Sequence, residues 1–297
     1  MYQPTMNPLP DVAAQKVDHQ DQAINWVGMG ELRQPLLFVD GDITKQVLAK
    51  CEAFVNLVEG GVRGIHMSRL YLLTDAMKGC SKAELSQLLE SFIQTHSDMS
   101  NAARLQLNFD LVLKRRALVS ENYGWRAYPV TLEAILDAGG LKLELGVEID
   151  YSSTCPCSKA LAEQMVLTRF NQDMGDAEQI SRRQMQAWLE QNAIYASPHS
   201  QRSRGYVQVR VPGDGEWGVR ALIDLIEGRL QTAVQSAVKR EDEQRFALLN
   251  GQNPMFCEDA ARTIKNALIG RYASFRLRVD HFESLHAHNA VAICSYP

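Results

Sequence analysis

Leu105, Leu107, Phe109, Leu111 and Leu113 alternate with Gln106, Asn108 and Asp110. Side chains of a strand point to opposite faces in turn, so this stretch predicts a strand with one face in a core. A strand of that kind belongs in an antiparallel sheet covered on one side. Strand-forming patterns recur at Val47–Val58, Tyr123–Leu136, Leu141–Tyr151, Tyr206–Val211, Phe275–Phe282 and Ala290–Cys294, with Gly139-Gly140 as a break. Helical spacing takes over from Met67 to Met77 and again after Ser81, where Glu84 three residues on completes a capping box and the helix runs to about His96. Val219–Val238 and Cys257–Ile269 read as amphipathic helices, and 161–195 as a polar, helical insertion.

The order is roughly strand–strand–helix–helix–strand–strand, twice over, with one strand rather than two before the helices of the first half. Helices grouped between antiparallel strand pairs predict an α+β fold: antiparallel sheets with helices packed on one face. Residues 1–34 read as an N-terminal arm, polar and proline-containing. No glycine-rich phosphate loop or dinucleotide fingerprint occurs in the chain.

Composition narrows the function classes. Of 297 residues, 45% are hydrophobic and 22% charged, the mix of a soluble globular chain. A net charge of −4 and a pI near 6.0 argue against a nucleic-acid or membrane surface, so an anionic substrate needs a local basic pocket. No run approaches the roughly 18 apolar residues of a membrane span, and the first residues do not form a signal peptide. The expected location is the cytoplasm, where thiols stay reduced. Six cysteines are then not disulfide staples, and the close pair Cys155/Cys157 points to metal or catalytic chemistry.

Chemistry concentrates in a few segments. Ser153-Thr154-Cys155-Pro156-Cys157-Ser158-Lys159 ends a strand and precedes a helix, whose N-terminus favours a thiolate. Pro198-His199-Ser200-Gln201-Arg202-Ser203 offers a ligand imidazole beside arginines suited to phosphate. Asp280 to His288 places three histidines and a carboxylate around a turn, a setting for proton transfer. Lys239 to Glu243 reads as a charge run at a helix end, and Glu258-Asp259 as acids in a first helical turn. These patterns support a Cys/His/acid site and name no substrate.

Together with Trp26-Val27-Gly28-Met29, Gly64 to Leu70, Asn253 to Asp259 and Glu283-Ser284-Leu285-His286, these segments resemble, in order, the GTP cyclohydrolase I family of the prokaryotic type IB, in the tunnelling-fold superfamily. The resemblance implies tandem tunnelling-fold modules, at 35–139 and at 140–297 with the insertion 161–195. It implies hydrolysis of GTP to 7,8-dihydroneopterin triphosphate and formate, the entry step to folate, in a homo-oligomer, expected as a tetramer, with active sites where subunits meet. Its metal ligands map to Cys155, His199 and Glu243, its proton-transfer residues to Cys157, Glu283 and His286, and its guanine anchor to Glu258. Lys159, Arg202, His66 and Arg69 are expected to hold the triphosphate. A Cys/His/Glu set suits zinc, manganese or ferrous iron. The rival expectations are a tunnelling-fold nitrile oxidoreductase of the queuosine pathway, which needs NADPH, and a non-catalytic purine-binding protein.

Overall fold

The computed structural model describes residues 22–58 and 63–297; the part of the expected arm at 1–21 lies outside the described residues. The described chain runs β1 (Ile24–Asp40), β2 (Ile43–Leu57), α1 (Met67–Asp75), α2 (Lys82–Thr95), β3 (Ala103–Arg116), β4 (Tyr123–Asp137) and β5 (Gly140–Thr154). It continues with α3 (Pro156–Met174), α4 (Arg182–Asn192), β6 (Ser200–Val211), α5 (Val219–Leu230), α6 (Arg240–Gln252), α7 (Cys257–Leu268), β7 (Phe275–His281) and β8 (Ala290–Tyr296). The strands follow one another through an eight-stranded sheet in sequence order, and the fold is α+β.

The order strand–strand–helix–helix–strand–strand is complete in β1 to β4. It recurs from β5, with α3 and α4 inserted between β5 and β6 and three helices before β7. Both strands before α1 are present, because residues 24–34, read from sequence as the end of an arm, form the first part of β1. Alternation is masked there by register shifts between Ile24 and Val27 and between Met29 and Leu32. Gly139-Gly140 is a hairpin turn: Asp137 pairs with Gly140, whose φ of 88° suits glycine.

Compact packing divides the described residues into those up to Leu111 with Pro129–Val147 and Gln208–Val219, and Val112–Tyr128 with Glu148–Val207 and Arg220–Pro297. In the first unit Leu105, Leu107, Phe109 and Leu111 are all buried, as their alternation predicts. On α2, Leu85, Leu88, Leu89 and Phe92 turn inward. Side chains of the opposite sheet face pair across strands: Arg104 Nε donates to Glu133 at 2.6 Å, and Gln208 Nε2 to Glu133 and Glu144 at 3.1 and 2.7 Å. Period-two alternation has separated an apolar face from a polar one.

The second unit holds the cysteine motif. Two features there depart from the sequence reading. The helix expected over Val219–Val238 stops at Leu230, because Gln231 adopts a φ of 65° and Thr232 then bonds with Ser152 in both directions, Ser152 N–H to Thr232 O at 2.9 Å and Thr232 Oγ1 to Ser152 O at 2.6 Å. The charge run instead starts a helix, α6. Buried Asp242 accepts from Val119 N, Ser120 N, Ser120 Oγ and Lys239 N at 2.6–2.9 Å. Those donors hold its carboxyl well below the usual range despite its burial. The insertion is helical as expected, its Phe170 and Trp188 packed edge-to-face at 5.0 Å.

Phe92 is fully buried. Phe92→Ala is expected to cost about 3–5 kcal/mol of stability, read from denaturant midpoints.

Candidate active site

The site is assembled where β5 and β7 end and β6 begins, in the second unit. Pairing runs past the strands themselves: Cys155 N–H donates to His199 O at 3.2 Å, and Phe282 N–H to Arg202 O at 3.0 Å. Cys155 is the N-cap of α3, its Sγ 3.5 Å from Ser158 N, while Ser158 Oγ accepts from His199 N at 3.1 Å. Pro156 at the first helical position starts α3 directly after the cysteine. The motif and the histidine, far apart in sequence, are thus fastened by backbone on both sides.

Gln201 and Ser203 alternate with Ser200 and Arg202 and share one face of β6, and His199 stands just before the strand. His199 Nδ1 lies 3.0 Å from Gln201 Oε1, which makes Nδ1 the protonated nitrogen and leaves the Nε2 lone pair to bind. Gln201 Nε2 in turn donates to Glu283 Oε1 at 3.4 Å. The other carboxylate oxygen, Oε2, is buried, 3.9 Å from His199 Nδ1, and accepts no hydrogen bond. A buried carboxylate oxygen without a donor is costly, and a cation or an acidic proton at this point would remove that cost. A thiolate, an imidazole with a free Nε2 and a carboxylate are donors that fit a divalent metal. Among the described residues, however, no group of three His, Cys, Asp or Glu side chains stands close enough to hold one.

The remaining expected residues are dispersed. Glu243, in the first turn of α6, lines a recess of about 420 Å³ with Arg202, Tyr151, Ser152 and Phe246, and not the row of His199, Gln201 and Glu283. Cys157 is exposed in the first turn of α3, and Lys159 pairs with Glu163 at 3.1 Å. His286 stands in the exposed 284–289 stretch, stacked on His288 at 5.1 Å. His66 and Arg69 belong to the first unit, where Arg69 donates to Thr95 O at 2.6 Å. Glu258 occupies the first turn of α7; its own backbone N–H and the Cys257 thiol, 3.2 Å away, hold its carboxyl below the ordinary value.

Sequence reasoning assigned no role to Gln201, Tyr151, Ser153, Ser203 or Cys257, and counted His281 among the histidines around a turn. His281 lies in the strand expected over Phe275–Phe282, as the last residue of β7, and is buried. Its Nε2 meets Tyr151 Oη at 2.8 Å and its Nδ1 meets Ser153 Oγ at 3.2 Å; Ser153 Oγ also meets Ser203 Oγ at 2.8 Å. A signal was present: Ser153 and Ser203 sit at inward positions of otherwise apolar strands, where hydroxyls need partners. Burial lowers the His281 pKa to about 4, outweighing Glu283, Glu258, Asp259 and Asp280, which raise it.

A lowered folded pKa means that the unfolded chain binds a proton first, from about pH 6.5 downward. Stability present at neutral pH is therefore expected to fall between pH 6.5 and 4, by at most about 1.4 kcal/mol per pH unit from this group. Denaturant midpoints across that range, against those of His281→Asn, check it.

The family model described as type I GTP cyclohydrolase folE2 matches residues 9–292. A protein of Pseudomonas syringae pv. tomato named GTP cyclohydrolase FolE2 is 48% identical over 292 residues, covering 96% of this chain and 97% of its own. Proteins of the same name from Azotobacter vinelandii and Pseudoalteromonas translucida are 45% and 44% identical, covering 97% and 96% of this chain and 99% and 96% of their own. Among solved structures, a uricase from Arthrobacter globiformis aligns with a TM-score of 0.47 at 7% identity over 95% of each chain, a likeness too slight to argue from.

Proposed function

The chain belongs to the type I GTP cyclohydrolase folE2 family, and on that premise we propose how its residues carry out the reaction. It is a GTP cyclohydrolase I, hydrolysing GTP to 7,8-dihydroneopterin triphosphate and formate at the entry to folate synthesis. The observation that carries the site assignment is the row His199–Gln201–Glu283 beside Cys155, with a free imidazole Nε2 and a buried carboxylate oxygen lacking a donor.

The family's reaction is metal-dependent, and a divalent ion, when bound, would act as a Lewis acid that makes water reactive near neutral pH. We assign Cys155, His199 and Glu243 as its ligands, and zinc or manganese, with ferrous iron as a further candidate, as the ion. Gln201 fixes the His199 ring by accepting its Nδ1 proton, which supports a ligand role for Nε2. The distance of 3.9 Å between Glu283 and His199 favours a second reading, in which Glu283 is the carboxylate that joins Cys155 and His199. Metal content separates the two: Glu243→Ala is expected to purify with little metal and Glu283→Gln to keep it. The reverse result would move the ligand role to Glu283.

Proton transfer falls to Glu283, to Cys157 on the exposed start of α3, and to His286 in the turn after β7. Glu258 accepts from guanine N1–H and the 2-amino group, donors that adenine does not present in that pattern. Its place in the first turn of α7 and its thiol partner keep it ionised for that purpose. Lys159, Arg202, His66 and Arg69 serve the triphosphate. A homo-oligomer, as a tetramer with sites at subunit boundaries, and a cytoplasmic location complete the reading. Among the described residues no helix is long and apolar enough to cross a membrane.

Metal-loaded protein is expected to release formate from GTP and to yield a pterin that fluoresces after oxidation. Failure of both with zinc, manganese and iron overturns the assignment, and NADPH oxidation with a nitrile substrate would replace it with the oxidoreductase. Glu258→Gln turns one acceptor into a donor facing guanine, so KM for GTP is expected to rise by about tenfold or more, measured by initial rates.

A further inference from the structure

Two rows of inward side chains cross the ends of β5, β6 and β7. The reacting row holds Cys155, Gln201 and Glu283, with His199 alongside. The row behind it holds Ser153, Ser203 and His281, each two residues along the chain from its counterpart; these three lie on β5, β6 and β7, whereas Cys155 caps α3 and Glu283 follows the last residue of β7 by two. Tyr151 closes this second row from the next inward position of β5. Tyr151, Ser153 and Ser203 are completely buried and His281 is 2% exposed.

This row is expensive to bury. Three hydroxyls and an imidazole occupy a space where apolar side chains would pack without any need for partners. Every polar atom of the row named above is nevertheless matched, hydroxyl to imidazole at both ring nitrogens and hydroxyl to hydroxyl between β5 and β6. A neutral imidazole presents one donor and one acceptor in a fixed plane, and a hydroxyl can rotate to meet either. A fully satisfied buried network of this kind fixes one arrangement of the elements that it joins. The elements joined here are the three that carry Cys155, Gln201 and Glu283.

We propose that His281 is a positioning residue for the cyclohydrolase reaction, tying β5 to β7 through Ser153 and Tyr151 and thereby setting where Glu283 stands relative to Cys155 and His199. The inference rests on the assignment of Glu283 to proton transfer. His281 touches neither substrate nor metal and acts through the backbone two residues on. The charged groups that face it are Glu258, Asp259, Asp280 and Glu283, with the Cys257 thiol close to Tyr151.

The test uses the full-length, metal-loaded protein with GTP. Glu283→Gln is the control for the underlying reading and is expected to lower kcat by about 100-fold or more. His281→Leu, shown by circular dichroism and metal content to be folded and loaded, is expected to lower kcat by about 10- to 100-fold, because a small misplacement of a reacting group costs that much. Its KM for GTP should stay within about threefold, since Glu258 keeps the hydrogen bonds from its own backbone N–H and the Cys257 thiol. His281→Asn, which returns an amide to the position of Nδ1 facing Ser153, should recover most of that loss. A purely structural role would lower thermal stability in both variants without this split between kcat and KM and without rescue. Should His281→Leu fail to fold, Ser203→Ala removes one link of the same row, and a kcat loss at unchanged KM is expected there too. Wild-type kcat in a folded His281→Leu or Ser203→Ala, or no rescue by asparagine, overturns the inference. Full activity in Glu283→Gln instead overturns the reading of Glu283 on which it rests.

Discussion

Backbone pairing beyond the ends of β5 and β7 is the constraint on which the site depends. The bonds from Cys155 N–H to His199 O and from Phe282 N–H to Arg202 O hold three segments in one register. A slip of one residue in either would turn an entire set of side chains to the other face. With the register held, Gln201 and Ser203 face the same side as Ser153 and His281, and Arg202 and Arg204 face the opposite one. Arg204 shows what that other face does: its guanidinium grips both oxygens of Asp150 at 2.6 and 3.1 Å and reaches Glu148 at 2.9 Å. One face of the strand ends carries Gln201 and the buried hydroxyl row, while the other is ion-paired at Arg204 and, at Arg202, borders the recess that Glu243 lines.

Helix N-termini supply the second ordering influence. Cys155 caps α3, Glu243 lies in the first turn of α6, and Glu258 lies in the first turn of α7. The unpaired N–H groups of a first turn favour negative charge, which suits a thiolate and two carboxylates equally. The same field has a purely structural use one residue from Glu243. Asp242 spends its charge on four donors and anchors α6 to the 119–120 turn. Adjacent acids in one charge run therefore have unlike duties, and accessibility separates them: Asp242 is buried, whereas Glu243 is exposed.

Much of the architecture could be read from periodicity. The alternation from Leu105 to Leu113, the Ser81/Glu84 capping box and the apolar stripe of α7 each appear where their spacing places them. Reading failed where a tertiary partner overrides local pattern. The first part of β1 hides behind two register shifts, and α5 stops at Gln231 because the following residues bond to Ser152. Neither cause leaves a mark in a window of a dozen residues. At the site, the motifs pointed to Cys155, His199 and Glu283, since reactive side chains are conspicuous in a sequence. Ser153 and Ser203 were not conspicuous, because a serine at a strand end looks like any turn residue until its partner is known.

The order of residues alone determined the fold class, the doubled succession of strands and helices, and the family with its cyclohydrolase activity, because periodicity and motif order are local properties of the chain. Tertiary structure alone decided which acid stands beside His199, that Glu243 shares a recess with Arg202, and that His281 is buried between Tyr151 and Ser153. The reason is physical: those facts depend on the register between strands distant in sequence, which hydrogen bonds set only when the sheet forms.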